Sequence, residues 1–405
     1  GIRDRKYCDW SSDVCSSDLK SSFFKLNKKT FFMKFSFIIY LIIYFLLNSC
    51  MQFGENPKGK HLEIIKDSPN YSVEDEKFVN RKEIINLGFW DDPAAWFSNN
   101  MILNFNETVP KEVLPEIKPP DINQFLEPTD SIKFIWFGHS TLLINIQNTI
   151  ILVDPVFSKS ASPVNFIVPR FQPPVLEINK LPNIDYILIS HDHYDHLDME
   201  TILYFKNKNV KFITPLGVTS HMKKWGINEA NLLELDWWDS IKLKDITFVC
   251  TPSRHYSGRL VSWKTSKTLW ASWVVQSGEK SFYFSGDSGF DTHYKEIGNK
   301  YGPFDLVFMD SGQYNTRWKG THNMPEEAIL GFLDLKGKYL VPVHWGMFNI
   351  AIHNWYDPIQ ESVKYSSICD VNLMTPKLGQ IVELNQNNFF ENWWNDLIDE
   401  KSGNK

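Results

Sequence analysis

Six consecutive residues hold much of the chemistry that this 405-residue sequence offers. They read His-Asp-His-Tyr-Asp-His over positions 191–196. Imidazole and carboxylate groups are ligands that zinc prefers, and bound zinc lowers the pKa of a water molecule to about 7. The alternative is a polar surface loop that carries three histidines by chance. We favour a metal site, because the whole chain has 11 histidines and three of them fall within this cluster.

The cluster follows Tyr186–Ser190, an apolar run that predicts a buried strand. Ligand sites in α/β proteins lie beyond the carboxyl ends of strands. Three more candidate ligands follow other predicted strands: His255 after Phe248–Cys250, Asp287 after Phe282–Phe284 and His344 after Tyr339–Val343. A lone histidine after a strand is more often structural, but three candidates in the same topological position favour one shared two-metal site.

The elements that must position these residues form two groups of strands, each followed by helices. The remaining predicted strands are Ile132–Phe137, Thr141–Ile146, Ile150–Val153 and Trp270–Gln276. The predicted helices are Met199–Lys206, Val218–Trp225 and one that starts after Asn323 as its N-cap. This order indicates an α/β fold in which two sheets pack face to face with helices outside.

Composition and charge narrow the functional classes. The chain is 43% hydrophobic and has a formal net charge of −6, and no basic block interrupts it. An acidic body of this kind argues against binding nucleic acid. Only Cys250 and Cys369 lie in the body of the chain, which is too few for a disulfide scaffold. We therefore expect His and Asp to supply the metal ligands.

The N-terminal 50 residues are expected to precede the folded part. Residues 1–32 resemble translated sequencing-adapter text, and we treat them as a non-native leader. Residues 33–50 resemble a lipoprotein signal peptide: Lys34 precedes an apolar run that is too short to span a bilayer, and Leu47-Asn48-Ser49-Cys50 resembles a bacterial lipobox. This predicts a lipidated Cys50 and a membrane-anchored protein of the bacterial cell envelope, facing the periplasm or exterior. A plain signal peptide or an N-terminal membrane anchor is the alternative.

The rest of the chain divides into three parts. Residues 51–128 are expected to form a tether, from Met51 to about Asn70, followed by an N-terminal extension packed on the main domain. Residues 129–395 form the main domain, and residues 396–405 form a polar tail.

The order of the candidate ligands resembles that of the metallo-β-lactamase superfamily. The pattern is H-x-H-x-D-H, then His255, then Gly286-Asp287, then His344. The resemblance implies an αββα sandwich that binds two Zn²⁺ per chain. It assigns the ligands to two ions: His191, His193 and His255 on the first, Asp195, His196 and His344 on the second, and Asp287 bridging both.

Tryptophan-rich segments narrow the resemblance to one branch, that of N-acyl-phosphatidylethanolamine-hydrolysing phospholipase D and its bacterial relatives. The segments are Trp136–Thr141, Val153–Ser158, Leu235–Trp238, Leu269–Trp273, Gly302–Leu306 and His344–Gly346. The resemblance implies a zinc-dependent phosphodiesterase, which releases an N-acylethanolamine from a phospholipid and leaves phosphatidic acid. A homodimer is left open.

The same resemblance suggests catalytic residues besides Asp287. His322 matches an active-site histidine of the branch, with transition-state stabilisation or proton donation as one role and support of the ligands as the other. Tyr194 is a weaker candidate for contact with the reacting group. His139 is expected to order hydrogen bonds behind the ligands.

Two other functions remain as alternative hypotheses. The first is a metal-dependent lactonase or other small-ester hydrolase of the same fold. The second belongs to a different class: a lipoprotein that binds lipid without turnover. Occupation of all seven ligand positions argues against this second alternative.

Overall fold

The protein is described from a computed structural model, which describes residues 51–84, 107–259 and 265–398. The leader, the signal peptide and Cys50 lie outside the described residues, as does most of the polar tail. The predictions for these segments, including the lipid anchor, therefore stay predictions. Within the described ranges, no helix has the length and apolar character that crossing a membrane requires.

The described strands and helices follow one another along the chain. The strands are β1 Tyr71–Ser72, β2 Lys77–Phe78, β3 Ile132–Trp136, β4 Leu142–Ile146, β5 Thr149–Val153, β6 Tyr186–Leu188, β7 Lys211–Pro215, β8 Leu232–Leu235, β9 Ser240–Leu243, β10 Ile246–Thr251, β11 Ser272–Ser277, β12 Lys280–Phe284, β13 Phe304–Asp310, β14 Gly337–Val343 and β15 Ile381–Glu383. The α-helices are α1 Lys60–Lys66, α2 Ile122–Leu126, α3 Met199–Tyr204, α4 Thr219–Lys224, α5 His293–Tyr301, α6 Pro325–Asp334 and α7 Asp357–Ile368.

These strands form two mixed sheets and the small β1–β2 hairpin. The first large sheet has the order β15-β3-β4-β5-β6-β7-β8, and the second has the order β14-β13-β12-β11-β10-β9. In each sheet antiparallel strands join a parallel part, β5 to β8 in the first and β12 to β14 in the second. The predicted α/β fold with two mixed sheets is confirmed.

The main core lies between the two sheets. Its strands are almost wholly apolar on both faces, as expected for sheets covered on both sides. Phe134 of β3 meets Phe308 of β13 edge to face at 5.2 Å, and Tyr186 of β6 meets Phe248 of β10 at 5.1 Å. A second apolar cluster joins the outer face of the second sheet to α5 and α6. The sheets are therefore held in a fixed relation at the edge where the candidate ligands lie.

Two local predictions differ from the structure. Asn323 is not the N-cap of α6, since Met324 holds that position and the Asn323 amide donates to the Asp310 carbonyl and the Tyr294 hydroxyl. The expected tether is also not free of the main domain. Helix α1 packs Ile65 into the core, and the Glu55 amide donates to His221. Apolar burial and several hydrogen bonds to the main domain hold this segment in place.

Truncation of Phe134 tests the core between the sheets. Because Phe134 is fully buried, we expect Phe134→Ala to lower the free energy of unfolding by about 3–5 kcal/mol. Phe389→Ala is the matched control, since that ring is 77% exposed. Chemical denaturation of both variants measures the difference, and equal stabilities would contradict this account of the core.

Candidate metal centre

The structure brings all seven predicted ligands to one edge of the sandwich. The loop after β6 supplies four of them, and the segments after β10, β12 and β14 supply the other three. Both sheets therefore contribute ligands, which meet at this edge. Two groups hold these seven ligands together with His139, and within each group the ligand atoms lie within 4.8 Å of one another: His191, His193, His255 and Asp287 in the first, and His139, Asp195, His196 and His344 in the second. Asp287 and His344 also form such a group with Asp310 and His322.

Three imidazole nitrogens converge in the first group. His193 Nδ1 lies 2.8 Å from His191 Nε2 and 3.2 Å from His255 Nε2. His255 Nδ1 donates to the carbonyl of Thr321 at 2.8 Å, which leaves a lone pair on its Nε2. The orientation of His255 is thus the one that presents a ligand atom to the centre of the group.

One carboxylate oxygen organises the second group. Asp195 Oδ2 lies 2.8 Å from His139 Nε2, 3.2 Å from His344 Nε2 and 3.3 Å from His196 Nε2. His139 was expected only to order hydrogen bonds behind the ligands. Its contact with Asp195 is such a bond, and it also places His139 within the group.

Asp287 faces both groups. Its Oδ1 lies 3.1 Å from His196 Nε2, while its Oδ2 lies 3.2 Å from His344 Nε2 and 3.5 Å from His255 Nε2. The side chain of Asp287 is 2% exposed, so that water does not separate these groups. A carboxylate that faces two clusters of imidazoles is suited to bridging two metal ions.

The donor set fits metal binding. His196 Nε2 and Asp287 Oδ1 are both buried and make no hydrogen bond within the described part of the chain, although they face each other. Buried polar atoms are normally satisfied, so atoms of this kind need a partner. A cation that accepts lone pairs from imidazole and carboxylate at once would satisfy them.

Electrostatics separate His196 and His344 from the other histidines of the two groups, since burial lowers the pKa of His139 to about 4. Burial lowers the pKa of His191 and His255 well below the usual value, which keeps these rings neutral and able to donate a lone pair. Burial also opposes protonation of His196 and His344, but nearby carboxylates, Asp287 first among them, raise the pKa of both rings well above it. The carboxylates around His196 and His344 therefore favour positive charge at this point, which a bound cation would supply.

A buried carboxylate behind the ligands holds the loop after β6. Asp154 accepts hydrogen bonds from the Ser190 amide at 2.7 Å and the Ser190 hydroxyl at 2.6 Å, and it lies 2.7 Å from His196 Nδ1. Its contact with Nδ1 leaves His196 Nε2 for the centre of the cluster. In the sequence, Asp154 belongs to the segment Val153–Ser158, and no role was predicted for it.

Asp310, at the end of β13, was missed by the sequence analysis. Asp310 Oδ2 lies 2.9 Å from His322 Nδ1, and Asp310 Oδ1 lies 3.3 Å from His344 Nδ1. The His322 ring lies 5.1 Å from His255 and 4.9 Å from His344, between the two groups. A polar residue directly after a buried strand is the signal that would have found Asp310, as it found Asp287.

Tyr194 does not have its expected surroundings. Its hydroxyl donates to the carbonyl of Arg259, and the Arg259 guanidinium lies 4.1 Å from the ring centre. Contact of Tyr194 with a reacting group is thus not supported by this geometry. The ring that lies against the ligands is Tyr256, at 4.9 Å from His193 and 4.6 Å from His255. Burial raises the pKa of Tyr256 to about 12, so it remains a phenol.

Tryptophan indoles hold the backbone beside the ligand loops. Trp273 donates from Nε1 to the Ile189 carbonyl at 3.0 Å, Trp270 to the Ser253 carbonyl at 3.1 Å and Trp136 to the His139 carbonyl at 2.9 Å. All three rings are buried. The Ile189 and Ser253 carbonyls accept no backbone amide among the described loop hydrogen bonds, so the indoles there remove the cost of an unpaired buried acceptor. The His139 carbonyl also accepts the His344 amide.

Comparisons with known proteins agree with this geometry. The family model described as the Beta-lactamase superfamily domain matches residues 149–345. A Mycobacterium tuberculosis protein named only as uncharacterized is 35% identical over 82% of this chain and 88% of its own length. N-acyl-phosphatidylethanolamine-hydrolyzing phospholipase D 1 of Caenorhabditis elegans is 34% identical over 61% of this chain and 74% of its own length.

The chain belongs to the metallo-β-lactamase superfamily, in the branch that contains the N-acyl-phosphatidylethanolamine-hydrolysing phospholipases D. A solved structure of a possible metal-dependent hydrolase from Veillonella parvula shares the fold, with a TM-score of 0.51 and 14% identity over 62% of this chain and 99% of its own. From its family, the protein described here is a metal-dependent hydrolase.

Removal of the carboxylate behind His196 should weaken metal binding. We expect Asp154→Asn to reduce zinc affinity by about 10–100-fold, because His196 loses the charged partner that fixes its orientation. Titration with zinc against a chelator measures this change. The control is Asp185→Asn, whose carboxylate accepts the Ile150 amide at the other end of the strands. Equal zinc affinities for the two variants would refute the role given to Asp154.

The indole hydrogen bonds can be tested by a matched pair of substitutions. Trp273→Phe leaves the Ile189 carbonyl without its donor, and we expect it to cost about 1–3 kcal/mol beyond the lost ring area. Trp393→Phe removes a similarly buried indole whose nitrogen makes no hydrogen bond among the described residues. Denaturation midpoints compare the two. A Trp393→Phe variant that is destabilised as much would show that the hydrogen bond contributes little.

Proposed function

We propose that this hydrolase is a zinc-dependent phosphodiesterase that cleaves N-acylphosphatidylethanolamine-like phospholipids on the phospholipase D side of the phosphate. Two Zn²⁺ are proposed to bind at the two ligand groups, with Asp287 between them. The names of the nematode relative and of a mitochondrial yeast relative, 31% identical over 55% of this chain and 49% of its own length, support this choice of substrate.

The observation that carries the proposal is the placement of His322. Its ring lies between His255 of the first group and His344 of the second. Because His322 Nδ1 is bonded to Asp310, Nε2 is the nitrogen left for a substrate. An imidazole that is held by a carboxylate beside two metal groups is suited to a reaction that must protonate a leaving oxygen.

The proposed reaction needs one water and one proton transfer at the leaving group. Metal ions held by the two ligand groups would supply a nucleophilic water at neutral pH and neutralise charge on the phosphate oxygens. The water oxygen forms a bond to phosphorus and releases one proton to the solvent, and the bond from phosphorus to the ethanolamine oxygen breaks. In its protonated form, His322 Nε2 gives a proton to that oxygen, while Asp310 stabilises the charged ring. Tyr256, as a phenol, is able to donate a hydrogen bond to a phosphate oxygen.

An exposed apolar loop supports a lipid substrate. Phe166 is 79% exposed and Ile167 is 57% exposed in the loop between Ser160 and Pro169. The loop base is paired with Phe348, whose ring lies 5.2 Å from that of His139 in the second metal group. Apolar side chains close to a hydrolytic site suit a substrate with acyl chains. The proposed lipid anchor at Cys50 would keep the enzyme at a membrane that holds this substrate, in the cell envelope.

Product analysis tests the proposed reaction. Purified protein loaded with zinc is incubated separately with N-acylphosphatidylethanolamine, a simple phosphodiester and an acylated lactone, and the products are identified by mass spectrometry. We expect phosphatidic acid and an N-acylethanolamine from the first. Turnover of the lactone alone would favour the lactonase, and two bound zinc ions without any turnover would favour a lipid-binding protein.

Substitution of His322 tests its role. We expect His322→Gln to lower kcat by about 10²–10⁴-fold with little change in zinc content, because glutamine fills the site but cannot deliver the proton. Asp287→Ala should lose both activity and metal. The control is His61→Gln, whose ring is bonded to Glu234 and Ser220 away from the ligands. A His322→Gln enzyme with an unchanged kcat would remove this residue from the reaction.

A further inference from the structure

The backbone of one candidate ligand is held by a side chain from the N-terminal extension. Asn80 Nδ2 donates to the His255 carbonyl at 2.6 Å, and the His255 amide donates to Asn80 Oδ1 at 3.2 Å. One carboxamide therefore satisfies both backbone groups of a residue 175 positions further along the chain. No other residue of the first metal group has this arrangement among the described hydrogen bonds.

His255 needs such support because it lies beyond the end of a strand. Strand β10 ends at Thr251, so the sheet ladder supplies no hydrogen bonds to the backbone of His255. Its ring is oriented by the Thr321 carbonyl, and its backbone is positioned by Asn80. Since His255 is 1% exposed, water does not replace either contact.

Contacts on both sides of Asn80 hold it against this loop. We call residues 78–83 the strap. At one end Phe78 is buried and donates its amide to the Ser266 carbonyl at 2.8 Å. At the other end the strap makes three polar contacts, all at 2.7 Å: Arg81 with Glu296, Lys82 with Asp291, and the Glu83 carbonyl with the Arg254 guanidinium. None of these contacts involves a candidate metal ligand.

We propose that Asn80 is a positioning residue that sets the metal affinity of the first group by fixing the backbone of His255. The N-terminal extension is then part of the metal centre as well as of the fold. This inference rests on the metal centre of the proposed function and is independent of the substrate. A wrong substrate would leave it unchanged.

Zinc titration of the full chain tests the inference. Metal-free protein is titrated with Zn²⁺ against a chromophoric chelator, and His255→Ala identifies the binding step that belongs to the first group. We expect Asn80→Ala to weaken that step by about 10–100-fold and to leave the other step within about twofold. Asn80→Asp keeps the acceptor for the His255 amide but loses the donor to its carbonyl, so its affinity should fall between those of Asn80→Ala and wild type.

The control is Asn70→Ala, which removes a carboxamide of the same extension that bonds Asp236 instead of a ligand loop. It should bind zinc as the wild type does. Thermal unfolding of the metal-free proteins is measured alongside. The inference is overturned if Asn80→Ala binds zinc normally, if both steps weaken equally, or if Asn70→Ala weakens the first step as much. Should Asn80→Ala fail to fold, a normal first step in Asn80→Asp overturns it.

Discussion

The structure depends on a concentration of charge at Asp287. This buried carboxylate lies within 3.7 Å of imidazole nitrogens from both ligand groups, on residues that come from both sheets. Taking a carboxylate out of water is costly unless it is paired and hydrogen-bonded. One of its oxygens makes no hydrogen bond within the described residues. A cation at this point would satisfy that oxygen, and metal binding would then be linked to the stability of this edge of the sandwich.

The surrounding structure keeps the lone pairs aimed at that point. Asp154, Asp310 and the Thr321 carbonyl each engage the outward nitrogen of a histidine, which leaves the inward nitrogen for metal or substrate. The tryptophans act one step further out, on the carbonyls of the loops that carry the histidines. The tryptophan hydrogen bonds and the contacts to the outward histidine nitrogens thus both fix the direction in which the histidine lone pairs point. A ligand set with correct residue types but free rings would bind metal more weakly.

Ligands could be predicted from the sequence where several residues of suitable type share one position in the fold, shortly after a strand. His255, Asp287 and His344 were found because each follows a predicted strand, and the structure brings all three to one edge. Asp310 is the last residue of β13, but that strand was not predicted, so its end was not searched. Tyr194 shows what the local sequence could not predict. Its position in the cluster suggested a role, whereas the direction of its side chain depends on Arg259, 65 residues away. Long-range partners of this kind leave no local pattern.

The unit that binds metal is larger than the segment that contains the ligands. All seven ligands fall between residues 149 and 345, the span of the family model. His139, which pairs with Asp195, and Trp136, which bonds the His139 carbonyl, precede this span. Further upstream, the Gln52 carbonyl accepts hydrogen bonds from Arg259, whose guanidinium also donates to the carbonyls of Asp192 and Leu197 beside the ligands. Residues outside the span therefore add to the contacts by which Asp154, Asp310 and the Thr321 carbonyl, inside the span, hold the histidines.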